Sequence, residues 1–83
     1  MFSFDIKKPG DIPAALKSVE HKIKSSGGAF SGNEHSGSFS NAAGDVAGRY
    51  SVGDKAIKIT ITQKPFIYPD SIVENKIRGY FEQ

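Results

Sequence analysis

The side chains best equipped for chemistry are His21, His35, Arg49, Lys58 and a large population of serines. A metal centre or a general base would draw first on the two histidines. Their separation matches no metal-ligand signature, and neither cysteine nor a clustered carboxylate accompanies them. His21 falls on the outward side of a predicted helix and His35 in or beside a predicted turn, so both read as solvated surface residues. No serine sits in a G-x-S-x-G elbow. No glycine-rich phosphate loop of either standard spacing is present. The acidic residues form no pair that can be placed across a cleft. Protease, glycosidase and nucleotidyl chemistry therefore lack a constellation, and neither enzymatic activity, cofactor nor metal is expected.

The elements that would position these residues can be read from periodicity. Residues 2–7 alternate, with Phe2, Phe4 and Ile6 on one side and Ser3, Asp5 and Lys7 on the other, as in a half-buried strand. Asp11 is a suitable N-cap and Pro13 suits a first turn. Ile12, Leu16, Val19 and Ile23 then follow the helical period, beside Ala15, until Gly27 and Gly28 stop the helix. Lys17, Glu20 and Lys24 form a charged ladder on its outer flank.

Three further strands, or four, follow. A hairpin turning at Asn33 and Glu34 places Gly37 opposite Phe30 and Gly28 opposite Phe39, so that aromatic rings cover glycines. Residues 41–45 read as a second turn. Gly53 and Asp54 signal a third. That turn sets Tyr50 opposite Ile57, Gly48 opposite Ile59 and Val46 opposite Ile61, with both apolar rows on one face. Ser71 and Glu74 form a capping box for a last helix, whose inward residues are Val73, Ile77, Tyr80 and Phe81 and whose Glu74 pairs with Arg78. The fold class is α+β: a β-α-β-β-β(-β)-α order, residues 1–83 as a single two-layer domain, with both helices on one face of an antiparallel sheet.

Three places in that frame are candidates for function. The register puts Arg49 directly opposite Lys58 on the polar face, near Lys7. This is either a site for an anion or two long side chains splaying into water or pairing with Asp5; the second is preferred, because exposed charge contacts are worth little. Gly48 leaves room on the inner face, bounded by Phe39, Tyr50 and Ile59. It is either a small apolar-ligand cavity or core filled by Phe39 or by close approach at Gly79, and close packing favours filling. The connector of Phe66, Ile67 and Tyr68, with Tyr80 and Phe81, either plugs the end of the core or contacts a second subunit or another partner.

Bulk properties narrow the classes further. The 83 residues are 37% hydrophobic, a lean supply for one small core. Absence of cysteine removes disulfides and points to a reducing, cytoplasmic setting. No basic leader with an apolar run opens the chain, so no signal peptide is expected, and no apolar stretch reaches membrane-spanning length. The formal net charge is +2 with charges scattered, so nucleic-acid binding is not expected.

The stretch from Gly28 to Phe81 resembles the putative polyhydroxyalkanoic acid system protein family. The resemblance rests on Phe30-Ser31-Gly32, the glycine-centred strand Val46-Ala47-Gly48-Arg49-Tyr50, the alternating Ile57 to Thr62, and KPFIYPDSIVENKIRGYF. It implies no catalytic residues. It implies a cytoplasmic accessory or binding protein near a hydrophobic polymer or lipid surface; a protein partner, including a homodimer, is instead what the apolar connector, or an exposed edge strand, would serve.

Overall fold

The computed structural model describes residues 2–81. β1 (Phe2–Lys7) is followed by α1 (Ile12–Ser25). Asp11 caps α1, its carboxylate accepting from the Ala14 N–H at 3.1 Å. The helix ends in a Schellman arrangement: the Gly28 N–H donates to the Ile23 carbonyl at 2.9 Å and the Gly27 N–H to that of Lys24 at 3.0 Å. Gly27 has φ of 92°, the left-handed conformation this stop requires.

β2 (Ala29–Gly32), β3 (Ser36–Ser40), β4 (Ala47–Val52) and β5 (Ala56–Gln63) come next, and α2 (Asp70–Phe81) closes the order. The five-stranded sheet runs β1-β5-β4-β3-β2 and every pairing is antiparallel. α1 thus carries the chain from one edge strand to the other. Leu16, Val19 and Ile23 of α1 and Val73, Ile77 and Phe81 of α2 share one core with Phe4, Ile6, Phe39, Tyr50, Ile57, Ile59 and Ile61. Each isoleucine of β5 is fully buried, which contributes roughly 1.5–3 kcal/mol apiece.

The β2–β3 and β4–β5 hairpins depart from the expected registers in the same way. Phe30 lies opposite Phe39, not Gly37, and Tyr50 lies opposite Ile59, not Ile57. Gly48 lies opposite Ile61, and Val46 precedes β4 instead of pairing with Ile61. Each turn sits one residue further along. Asn33 does not occupy a corner: its carboxamide oxygen accepts from the His35 and Ser36 N–H groups at 2.8 and 3.0 Å, and its own N–H donates to the Ser36 carbonyl. Gly53 likewise pairs with Ala56, its N–H donating at 2.8 Å, leaving Asp54 and Lys55 at the corners.

The aromatic-over-glycine pairing does occur, but across β3 and β4, where Gly37 faces Tyr50 and Phe39 faces Gly48. α2 also starts ahead of the proposed capping box. The Pro69 carbonyl accepts from Ile72 and Val73, and Glu74 turns to Arg78, whose Nε donates to it at 2.8 Å. That guanidinium also lies 5.1 Å from the centre of the Phe4 ring.

Candidate functional site

The connector between β5 and α2 closes into an apolar turn. The Tyr68 N–H donates to the Pro65 carbonyl at 3.0 Å, which closes a β-turn with Phe66 and Ile67 at its corners. Turn corners usually carry glycine, proline, asparagine, aspartate or serine. Here two large apolar side chains stand there, Phe66 93% exposed and Ile67 69%. They do not plug the core. Lys64 holds the turn against the helix: its Nζ donates to the Tyr68 carbonyl at 2.7 Å and pairs with Asp70 at 3.1 Å. Asp70 in turn lies in the first turn of α2, where a negative charge complements the helix dipole. The Lys64 side chain is mostly buried, so this ammonium is a fixed brace. Lys64→Met is expected to cost about 1 kcal/mol and to speed hydrogen exchange at the Tyr68 amide. Unchanged exchange at Tyr68 would show that Lys64 does not organise the turn.

Beside the turn runs a groove of about 310 Å³, walled by Tyr68, by Ile72, Val73, Ile77 and Tyr80 of α2, and by Val46 and Asn41, with Lys76 on its rim. The far wall is positioned by Asn41. Its side chain accepts from the Val46 N–H at 3.1 Å and donates to Asp45 at 2.7 Å, while Gly44 turns with φ of 76°. The near wall follows from helical spacing. Val73, Ile77 and Phe81 form one row into the core; Ile72, Lys76 and Tyr80 form the adjacent row. Ile72 is 60% exposed, and Tyr80 is half-buried against the core edge. Phe81 was expected on the contact surface with Tyr80, but successive helical residues diverge. Phe81 is buried, edge-on to Tyr50 with ring centres 6.3 Å apart.

The structure fills the space at Gly48. A Cβ there would lie 2.8 Å from Cζ of Phe39 and 3.1 Å from the Ile61 side chain. Phe39, Tyr50 and Ile59 are therefore core residues: the preferred filled-core reading describes this space, and the alternative, an apolar-ligand cavity, is occupied by the Phe39 ring. Gly79 makes no close approach, with nothing within 4 Å of its Cβ position. Arg49 and Lys58 do not face each other. Arg49 stands between Ser38 and Thr60, and Lys58 between Ser51 and Asp5, so the opposite charge is the direct neighbour. They meet diagonally around an open hollow with Ser51 and Thr60.

His21 is exposed on α1, and His35 is exposed in its turn with Nε2 3.9 Å from Glu34. Among the described residues no three metal-ligating side chains cluster, and no helix is long and apolar enough to cross a membrane. One feature was not legible from spacing: an open cleft between α1 and the β2–β3 turn, floored by Leu16, Phe30 and Tyr50 and rimmed by Lys17, Glu20, Glu34 and His35. Its rim carries both signs of charge, and Glu20 is engaged by Lys24 at 2.7 Å. No family model, curated protein or solved structure matches the chain.

Proposed function

We propose that the protein is a non-enzymatic accessory domain that works by docking through the 65–68 turn and the groove beside it. The observation that carries this reading is the pair Phe66 and Ile67, held in solvent at the corners of a braced turn. Exposing two such side chains brings a small domain no stability. Together with Tyr68 and Ile72 they present on the order of 400 Å² of apolar surface, the scale at which a patch on a monomer marks a contact site. The resemblance to the polyhydroxyalkanoic acid system family supports an accessory role of this kind, and the lack of cysteine supports a cytoplasmic one.

Replacing Phe66 and Ile67 together by serine tests the reading. The double variant is expected to keep the wild-type stability in urea unfolding within about 0.5 kcal/mol, because neither side chain is in the core. In dilute solution it should elute from a phenyl matrix well ahead of the wild type. Equal retention of the two proteins would refute an apolar docking surface at this turn.

A further inference from the structure

We propose that the occupant of this surface is a second copy of the chain, in a two-fold dimer where Phe66 of each protomer enters the groove of the other. The inference rests on the docking reading above. A two-fold interface must be self-complementary, so one patch has to supply both a projection and a recess. This patch does. Phe66 projects from the turn, and Tyr68, at the end of the same turn, is already a wall of the groove.

Size and chemistry agree. A cavity of roughly 150 Å³ accepts a benzene ring, and this groove of about 310 Å³ is walled mainly by apolar side chains. Lys76 on the rim is placed to lie over an incoming aromatic face. The turn is already fixed by Lys64 and by its own hydrogen bond, so docking orders little that was free.

Charge favours a protein copy over a lipid surface. Lys64 is paired with Asp70, which leaves Lys76 on the groove rim, and one lysine falls short of the polybasic patch that holds a protein on anionic headgroups. The apolar patch of about 400 Å² on each protomer comes to roughly 800 Å² over both, below the standard size of specific interfaces, and implies a weak dimer.

Sedimentation of the full chain over a wide concentration range tests this. The mass should rise from monomer to dimer, and each of two substitutions should weaken the association at least tenfold with the fold intact. Phe66→Ser removes the projection. Lys76→Trp lays an indole over the groove and fills the recess. The decisive sample is their mixture: the serine variant keeps an open groove and the tryptophan variant keeps its Phe66. A mixed dimer, weaker than wild type but tighter than either variant alone, supports the arrangement, since general damage to the surface would not complement.

A wild-type chain that stays monomeric at millimolar concentration overturns the dimer, as does a dimer indifferent to both substitutions. If the chain is monomeric while serine at positions 66 and 67 still abolishes phenyl-matrix retention, the dimer fails and the docking reading stands. Loss of neither property by that double variant sinks both. Tight binding to neutral phosphatidylcholine vesicles without self-association overturns the dimer in favour of a lipid surface.

Discussion

Gly37→Ala is expected to destabilise the protein by about 3 kcal/mol or more, lowering its thermal midpoint by roughly 15 °C. The reason is the absence of any room for a methyl group. A Cβ at Gly37 would lie 2.5 Å from the Ser31 carbonyl oxygen, 2.5 Å from Cε1 of Tyr50 and 2.6 Å from its hydroxyl. The first obstacle is backbone of the neighbouring strand. The second is a ring held on its other sides by Phe30, with centres 5.6 Å apart, and by Phe81. Neither can retreat cheaply.

Alanine at a glycine that tolerates it usually stabilises slightly, by restricting the unfolded chain. Gly10→Ala is the matched control, with nothing within 4 Å of its Cβ position. Thermal and urea unfolding of the two variants should separate them clearly. Combining Gly37→Ala with Tyr50→Leu should remain destabilised, because the Ser31 carbonyl stays in place. A wild-type midpoint for Gly37→Ala would refute the close approach of β2, β3 and the Tyr50 ring.

The same glycines show how far the fold could be read from residue order. Residue order predicts aromatic rings over glycines across the first hairpin, and the relationship instead holds between β3 and β4, where Phe39 faces Gly48. Turn chemistry points one residue short in the β2–β3 and β4–β5 hairpins. Residue type places Asn33 and Gly53 at the corners of tight turns, which call for positive φ. The described residues with positive φ are Gly27, Gly32 and Gly44, and neither Asn33 nor Gly53 is among them.

Each turn moved by one residue and each register by two. Because side chains in a strand alternate with period two, a two-residue slip returns every apolar residue to the same face. The layers, the helices and the buried rows therefore survive the error. What does not survive is anything that depends on direct opposition. Arg49 against Lys58 dissolves, and Lys58 meets Asp5.

The docking surface was half legible. An apolar connector is visible as residue types, but whether it packs inward or projects depends on a tertiary brace. Lys64 supplies that brace by reaching the Tyr68 carbonyl and Asp70, and a lysine before a proline gives no sign of it. The groove was beyond reading for a different reason. Val46 and α2 are distant in the chain and meet only through the sheet.

Tyr50 should show the other large effect, and its ring and hydroxyl can be separated. Tyr50→Ala is expected to cost about 4 kcal/mol, enough to leave much of a lean 83-residue chain unfolded. The ring is 2% exposed, stacks on Phe30, meets Phe81 edge-on and covers Gly37. Truncation would open a void that two glycines, Gly32 and Gly37, have no side chains to fill. Tyr50→Phe keeps that packing. It loses only the hydroxyl's donation to the Asn33 carbonyl at 2.6 Å, and it should cost about 1 kcal/mol.

The two variants differ again at high pH. Burial, and secondarily the negative charge of Glu20, hold the Tyr50 hydroxyl above its ordinary pKa of 10.0. The folded state therefore keeps a proton that the unfolded chain gives up. Stability from this group is complete below pH 10 and falls as pH rises through the higher folded-state value. The wild type should lose stability relative to Tyr50→Phe across that alkaline window, so the gap between their urea midpoints narrows or reverses. Lysine titration acts on both proteins and cancels in the comparison. A gap that stays constant from neutral pH into the alkaline range would mean that the hydroxyl is not held protonated by the fold.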